Sequence, residues 1–287
     1  MITQAQKTLF EKRGLILLES FLPGEKVTSA REVLLGALER KGIWQDGDWQ
    51  LEDLPQSTAT DAGAKLTKDS KRSKVFQELM TQELVDTIEE LSGGQPVQPL
   101  ADHPGVLFTL PNASRWSVPG TIWHLDIPRL PSGRPPGIQM FTFLNTVNPG
   151  GGGTLVVTGS HRLLNDRGFI RSRQLKRHLK REPYFRDLMS KNLPDRHRFV
   201  EQPGRVGDVE LQVVELHGGP GDVYLMDMRI LHTLAPNASC VPRMMLTQRF
   251  VCDSVREELF NVFGDNESAE RSVQGVSVQS DAFDPEF

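Results

Sequence analysis

The apolar positions change their period near residue 105, and the change divides the chain into two textures. Before it the spacing is mostly helical. Residues 3–41 read as helices around one short strand: Gly14-Leu-Ile-Leu-Leu18, closed by Pro23-Gly24, suits a strand or buried edge. Val33, Leu34, Ala37 and Leu38 recur at helical spacing before Gly42, with Thr28 or Ser29 as the expected N-cap. Asp46-Gly-Asp reads as a turn, and the polar stretch from Gln56 to Ser73 as a surface loop. Phe76, Leu79, Met80, Leu84 and Ile88 resume a helical stripe that stops at Ser92-Gly-Gly.

After residue 105 the chain turns to short apolar or alternating runs separated by Gly, Pro and Asn. Six are strand-like: 106–110, 138–144, 154–157, 209–216, 222–226 and 243–251. Strands of this length, without a helix between every pair, argue against a parallel βαβ sheet. They predict a mainly β fold with flanking helices, its core a jelly roll, or double-stranded β-helix. One segment interrupts the series: Leu163 to about Val200, with leucines at 175 and 179 among many arginines and lysines, reads as a helical insertion. The apolar pattern fades after Phe263. We therefore expect a single domain over 1–287, with a mostly helical part at 1–104. A jelly-roll core at 105–252 would carry a basic helical insertion at about 163–200, and a loosely held tail would occupy 253–287.

Composition narrows the function. A formal net charge of -4 argues against a generally basic nucleic-acid binder. Cys240 and Cys252 are too few for a disulfide framework, which fits a reducing compartment. The first residues lack a basic region followed by an apolar run, and no stretch approaches the ~20 apolar residues of a membrane span. A cytoplasmic protein without a membrane partner is expected.

Chemistry concentrates in Thr121-Ile-Trp-His-Leu-Asp-Ile-Pro128. In an extended segment residues two apart project to one face, so His124 and Asp126 can reach one ion together. Two histidines and one carboxylate are the ligand set of non-haem Fe(II) oxygenases, so a second histidine is needed. His103 sits in a turn beside Pro104, His161 follows a strand at a turn, and His178 and His197 lie in the basic insertion. His217 ends a strand before Gly218-Gly-Pro-Gly221, whereas His232 follows a late strand that leads into a turn. His232 is the preferred third ligand and His217 the alternative. The Gly150–Gly153 run precedes a strand and carries no Gly-Lys-Ser/Thr, so it reads as a turn rather than a phosphate cradle.

Taken in order, Trp123-His-Leu-Asp126, Gly152-Gly-Thr-Leu-Val-Val-Thr-Gly-Ser-His-Arg162, Gly221-Asp-Val, His232 with Pro236-Asn237, and Arg243 resemble the phytanoyl-CoA dioxygenase family of Fe(II)- and 2-oxoglutarate-dependent oxygenases. The resemblance spans roughly residues 105 to 252. It implies that His124, Asp126 and His232 are catalytic ligands of Fe(II), with 2-oxoglutarate and O2 as cosubstrates. Arg243, eleven positions after His232, falls where the family places the arginine for the distal carboxylate of 2-oxoglutarate. A bidentate guanidinium–carboxylate pair is a sound anchor in a barrel interior. Leu125 and Leu234 stand where relatives have polar contacts to the cosubstrate, and Gln139 and Thr109 are the candidates for its C1 carboxylate. Halogenating relatives carry Gly or Ala where this chain has Asp126, so the resemblance implies a hydroxylase-type dioxygenase. It would oxidise an unactivated C–H bond and release succinate and CO2. A non-catalytic jelly-roll binding or regulatory protein, and a cupin-like metalloprotein without 2-oxoglutarate, are the competing readings.

The insertion bears on the substrate. From Arg162 to Arg198 it holds twelve Arg or Lys against four Asp or Glu, a net of +8. Its plain reading is a solvated helical surface. Its functional reading is a rim that attracts an anionic or carrier-linked small molecule. Nucleic acid is disfavoured, because Tyr184 and Phe185 are the exceptions in a patch otherwise short of stacking aromatics.

Overall fold

A computed structural model of the chain describes residues 2–51, 59–130 and 135–263. The strands are β1 (Leu15–Leu18), β2 (Trp44–Gln45), β3 (Asp48–Trp49), β4 (Val97–Pro99), β5 (Gly105–Thr109), β6 (Gly137–Phe143), β7 (Leu155–Thr158), β8 (Gly204–Val206), β9 (Val209–Glu215), β10 (Val223–Asp227), β11 (His232–Thr233) and β12 (Arg243–Cys252). The helices are α1 (Gln4–Arg13), α2 (Gly24–Glu39), α3 (Ala59–Leu66), α4 (Lys74–Gln77), α5 (Gln82–Leu91), α6 (Ser172–Leu179), α7 (Pro183–Leu188), α8 (Arg198–Glu201) and α9 (Asp253–Phe263). The larger sheet runs β1-β10-β6-β12-β4, with β5 also on β12, and the smaller runs β11-β7-β9-β8. Every described strand pair is antiparallel.

The period-2 alternation of each strand explains how these sheets stack. In the larger sheet, Ile16, Met140, Leu225, Met244 and Leu246 join one apolar cluster with Leu34 and Leu38 of α2 and Leu84 and Ile88 of α5. Their neighbours of opposite parity, Leu15, Phe141, Phe143, Tyr224, Met226 and Met245, meet Val156 of β7, with Val214 of β9 packed alongside. Leu155, Val157, Leu211 and Val213 face the other way, onto Leu175, Leu179 and Phe185 of the insertion. The order is therefore helices, sheet, sheet, insertion. Phe141 and Phe143, 2% and 0% exposed, fill the space between the sheets, where truncating either to alanine costs about 3–5 kcal/mol.

Several elements depart from the sequence expectation. The helix α2 begins at Gly24 behind Pro23, whose φ of -58 suits a helix start, so Thr28 and Ser29 lie inside it instead of capping it. The stripe from Phe76 to Ile88 is broken: the Thr81 hydroxyl accepts from Leu84 N at 3.2 Å and starts α5 afresh after α4. Part of the expected loop from Gln56 to Ser73 is α3, while residues 56–58 lie outside the described set. That helix packs closely on β5, where a Cβ on Gly63 would stand 2.2 Å from the Phe108 carbonyl oxygen. The insertion is three short helices, α6 to α8. The start of the expected tail is docked through Val255 and Leu259 of α9, 1% and 3% exposed, and residues 264–287 lie outside the described set. Cys240 and Cys252 are free thiols, as their number suggested.

A polar corner fixes the turn between β10 and β11. Asp227 takes bonds from the Arg229 backbone N at 2.8 Å, its Nε at 3.0 Å and its Nη2 at 2.7 Å. Arg129 donates to the carbonyl oxygens of Ser160, His161, Leu163 and Arg229, and the Ser160 hydroxyl accepts from Leu231 N at 2.9 Å. His161, 4% exposed, donates through Nε2 to Glu11 O at 3.1 Å and holds this corner against α1. It is a structural histidine. Burial holds its imidazole below the usual range, with Asp227 pulling the other way. A histidine with a lowered folded pKa takes up its proton more readily when unfolded, so stability is kept above about pH 6.5 and declines as the pH falls below it. Denaturant midpoints measured between pH 7.5 and 5.5 are expected to fall more for the wild type than for His161→Gln, and parallel profiles would refute this assignment.

Candidate metal centre

His124 belongs to no strand. It is tied to His232, the first residue of β11, by two backbone hydrogen bonds: His124 N to His232 O at 2.9 Å and His232 N to His124 O at 3.1 Å. The two imidazoles therefore lie side by side, with centroids 4.5 Å apart. Each Nδ1 donates to the carbonyl two residues earlier, Ile122 O at 2.9 Å for His124 and Ile230 O at 3.1 Å for His232. This fixes both tautomers and turns both Nε2 lone pairs to the same point. Asp126 Oδ1 stands 3.4 Å from one Nε2 and 3.5 Å from the other. All three donor atoms lie within 4.8 Å of one another, a set that one divalent ion can touch together. Ile122 has a φ of 59, a strained left-handed conformation for a β-branched residue, in the loop that carries this carbonyl.

Asp126 is held from behind. Its Oδ2 accepts from Arg249 Nε at 2.7 Å and Nη2 at 2.6 Å, leaving Oδ1 for the imidazoles. Burial alone would raise this carboxyl, but the charge of Arg249 is the chief opposing influence, and the carboxyl is held well below the usual carboxylate range. The sequence reading missed Arg249. Its only signal is parity: Arg243, Met245, Thr247 and Arg249 share one face of β12, the face that meets the other sheet.

Arg243 lies at the opposite end of that face, 2% exposed. Its Nη1 donates to Gly152 O at 2.6 Å and its Nη2 to Thr109 Oγ1 at 2.7 Å, while Nε has no partner. Among the described residues no carboxylate lies within ion-pair distance of it. Burial lowers its pKa to about 10, with the charge of Glu215 opposing the shift. The glycine run shapes this end. Gly152 has a φ of +82, and a Cβ there would come within 2.8 Å of Asn237 Cβ, so the loop closes only with glycine. Glu215 secures the run by accepting from Gly150 N at 2.8 Å and Gly153 N at 3.2 Å.

The remaining candidates separate. Thr109 is the register partner of Arg243, and Gln139 that of Arg249, six residues along the strand or roughly 20 Å away. They do not meet one carboxylate together. Gln139 donates to Thr247 Oγ1 at 3.1 Å and leaves its Oε1 unpaired. His217 is exposed and outside the cluster. Leu125 is buried against the insertion, and its backbone N donates to Ser172 Oγ at the start of α6, at 3.1 Å.

The sequence profile of the phytanoyl-CoA dioxygenase (PhyH) family matches residues 10–245. The chain belongs to the phytanoyl-CoA dioxygenase family. No curated protein matches it. Solved structures share its fold at low identity. The non-haem α-ketoglutarate-dependent carbocyclase SnoK from nogalamycin biosynthesis is 17% identical at a TM-score of 0.54, over 88% of this chain and 84% of its own. HygX from Streptomyces hygroscopicus, with nickel and 2-oxoglutarate bound, is 16% identical at a TM-score of 0.51, over 88% of each chain. EctD from S. alaskensis with bound Fe is 17% identical at a TM-score of 0.51, over 88% of this chain and 78% of its own. The phytanoyl-CoA dioxygenase match includes His124, Asp126, His232 and Arg243 and ends before Arg249.

Removing a group that orients a ligating carboxylate weakens a metal site by 10–100-fold in general. Calorimetric titration with Co(II) is expected to show about that loss in Arg249→Met, and wild-type affinity in the variant would show that the clamp on Asp126 is incidental.

Proposed function

We propose that this protein is an Fe(II)- and 2-oxoglutarate-dependent oxygenase that hydroxylates an unactivated C–H bond of a small organic substrate. Membership of the family and the shared fold support the oxygenase class. The observation that carries the reading for this chain is three converging metal donors together with buried Arg243, which among the described residues has no carboxylate within ion-pair distance. In this reading the two sheets are the halves of a double-stranded β-helix, with the site between them.

The donor set fits Fe(II): two neutral imidazole nitrogens and one carboxylate oxygen, with no fourth His, Cys, Asp or Glu in the cluster among the described residues. Arg243 fits a carboxylate of 2-oxoglutarate, because a buried guanidinium bonded only to a carbonyl and a hydroxyl is electrostatically incomplete. Thr109 then serves to aim Arg243, and Gln139 lines the same face nearer the metal donors. Iron and 2-oxoglutarate, when bound with O2, supply the oxidising chemistry. The chain's own work is positional. His124 and His232 keep their protons on Nδ1, Arg249 keeps Asp126 ionised, and Phe141, Phe143, Tyr224 and Met245 keep water from the space between the sheets. Asp126 fills the third ligand position, which favours oxygen transfer over halide transfer.

Anaerobic addition of Fe(II) and 2-oxoglutarate is expected to give a weak visible charge-transfer band that disappears in His124→Ala and Asp126→Ala, with succinate released on admission of air. Intact protein without a band would overturn the oxygenase reading. In Arg243→Gln the 2-oxoglutarate concentration for half-maximal band should rise at least about thirtyfold, because losing one partner of a buried charge pair costs about 2–5 kcal/mol. An unchanged requirement would place the anchor elsewhere.

A further inference from the structure

A cleft of about 410 Å³ lies beside the segment leading into His124, lined by residues 120–123, by Arg173, Lys176, Arg177 and Lys180 of α6, and by Met189 and Lys191. It has the volume of a small-molecule site. Five of its residues are cations, and among the described residues no acidic one lines it. Their grouping follows from α6. Leu175 and Leu179 are buried against the smaller sheet, and this turns positions 173, 176, 177 and 180, spaced i, i+3, i+4 and i+7, to one opposite face. Neighbours at these spacings repel one another. Lys176 and Arg177 suit the C-terminal turn of a helix, but Arg173 stands in the first turn, where the helix dipole disfavours a cation.

Two observations connect this face to the chemistry. The wall residues 120–123 directly precede His124, and Ile122 O orients that histidine's ring. The Ser172–Leu125 bond pins the start of α6 to the His124–Asp126 segment. Ile122, 44% exposed, and Met189 add apolar surface to the cationic wall.

We propose that this cleft binds a phosphate or diphosphate group of the substrate, with the apolar part of the same molecule against Ile122 and Met189 and its reacting carbon at the metal centre. The assignment rests on the oxygenase reading. Five clustered cations exceed what one carboxylate neutralises, and guanidinium groups such as those of Arg173 and Arg177 suit the several oxygens of a phosphoryl group.

The test is calorimetric titration of the full chain with inorganic pyrophosphate, with succinate as the carboxylate probe, at low and moderate salt. Pyrophosphate is expected to bind in the micromolar to low-millimolar range, more tightly than succinate and with strong salt dependence. The double variant Arg173→Glu/Arg177→Glu should lose at least tenfold in affinity, and Lys68→Glu/Arg72→Glu, on the N-terminal helical part, should match the wild type. Should the double variant not fold, Lys176→Gln and Lys191→Gln carry the same comparison with smaller losses. Binding no tighter than that of succinate, or equal losses in the control pair, would overturn the proposal. The Fe(II)/2-oxoglutarate band in the same samples keeps the two readings apart. A band without pyrophosphate binding sinks only the anion site, whereas a missing wild-type band sinks the oxygenase reading whatever pyrophosphate does.

Discussion

Two backbone hydrogen bonds between His124 and His232 are the constraint on which this structure turns. They join an irregular segment to the edge of the smaller sheet, 108 positions later in the chain. Without them, neither imidazole would have a fixed place relative to the other. Much of the surrounding fold can be understood as bracing for this pair. The Asp227–Arg229 turn and Arg129 hold the chain leading into His232, while Ser172 of α6 holds the chain leaving His124. Bracing by the main chain matters because a side-chain contact alone leaves rotamer freedom, whereas the bridge sets the Cα positions from which both rings project.

The space between the sheets also shows how a protein tolerates buried charge. Asp126 is compensated within the chain by Arg249. Arg243 is treated differently: its neighbours supply dipoles and no countercharge within ion-pair distance, although Glu215 acts on it from farther away. An arginine kept so is a standing electrostatic demand, and the glycine-closed loop at Gly152 limits what can approach to meet it.

Much of this was legible in the sequence because the larger elements are long enough to show a period. The six runs after residue 105 are β5, β6, β7, β9, β10 and β12, within one or two residues at their ends. The strands β4, β8 and β11 span two or three residues and carry no period to detect. For that reason His232, read as following a strand, proved to begin one. The helix α3 is eight residues long and lies in a run of mostly polar and small residues, too short to show a clear apolar stripe, and its close packing on β5 at Gly63 is a tertiary contact. The histidines and Asp126 were readable from spacing and residue order. Arg249 was not, since nothing local links it to a carboxylate 123 positions away. Nor does composition show that four cations of the insertion share one face beside the site. That follows from which leucines of α6 are buried.

The strand β12 carries Arg243 near one end and Arg249 near the other, on the same face. Because side chains alternate, a slip of one residue in its pairing would turn both guanidinium groups toward the helical layer at once. The clamp on Asp126 and the buried Arg243 are thus tied to one register: point substitutions can alter either alone, but a slip of the strand cannot. The spacing along β12 therefore matters to both sites together, whatever residues lie between the two arginines.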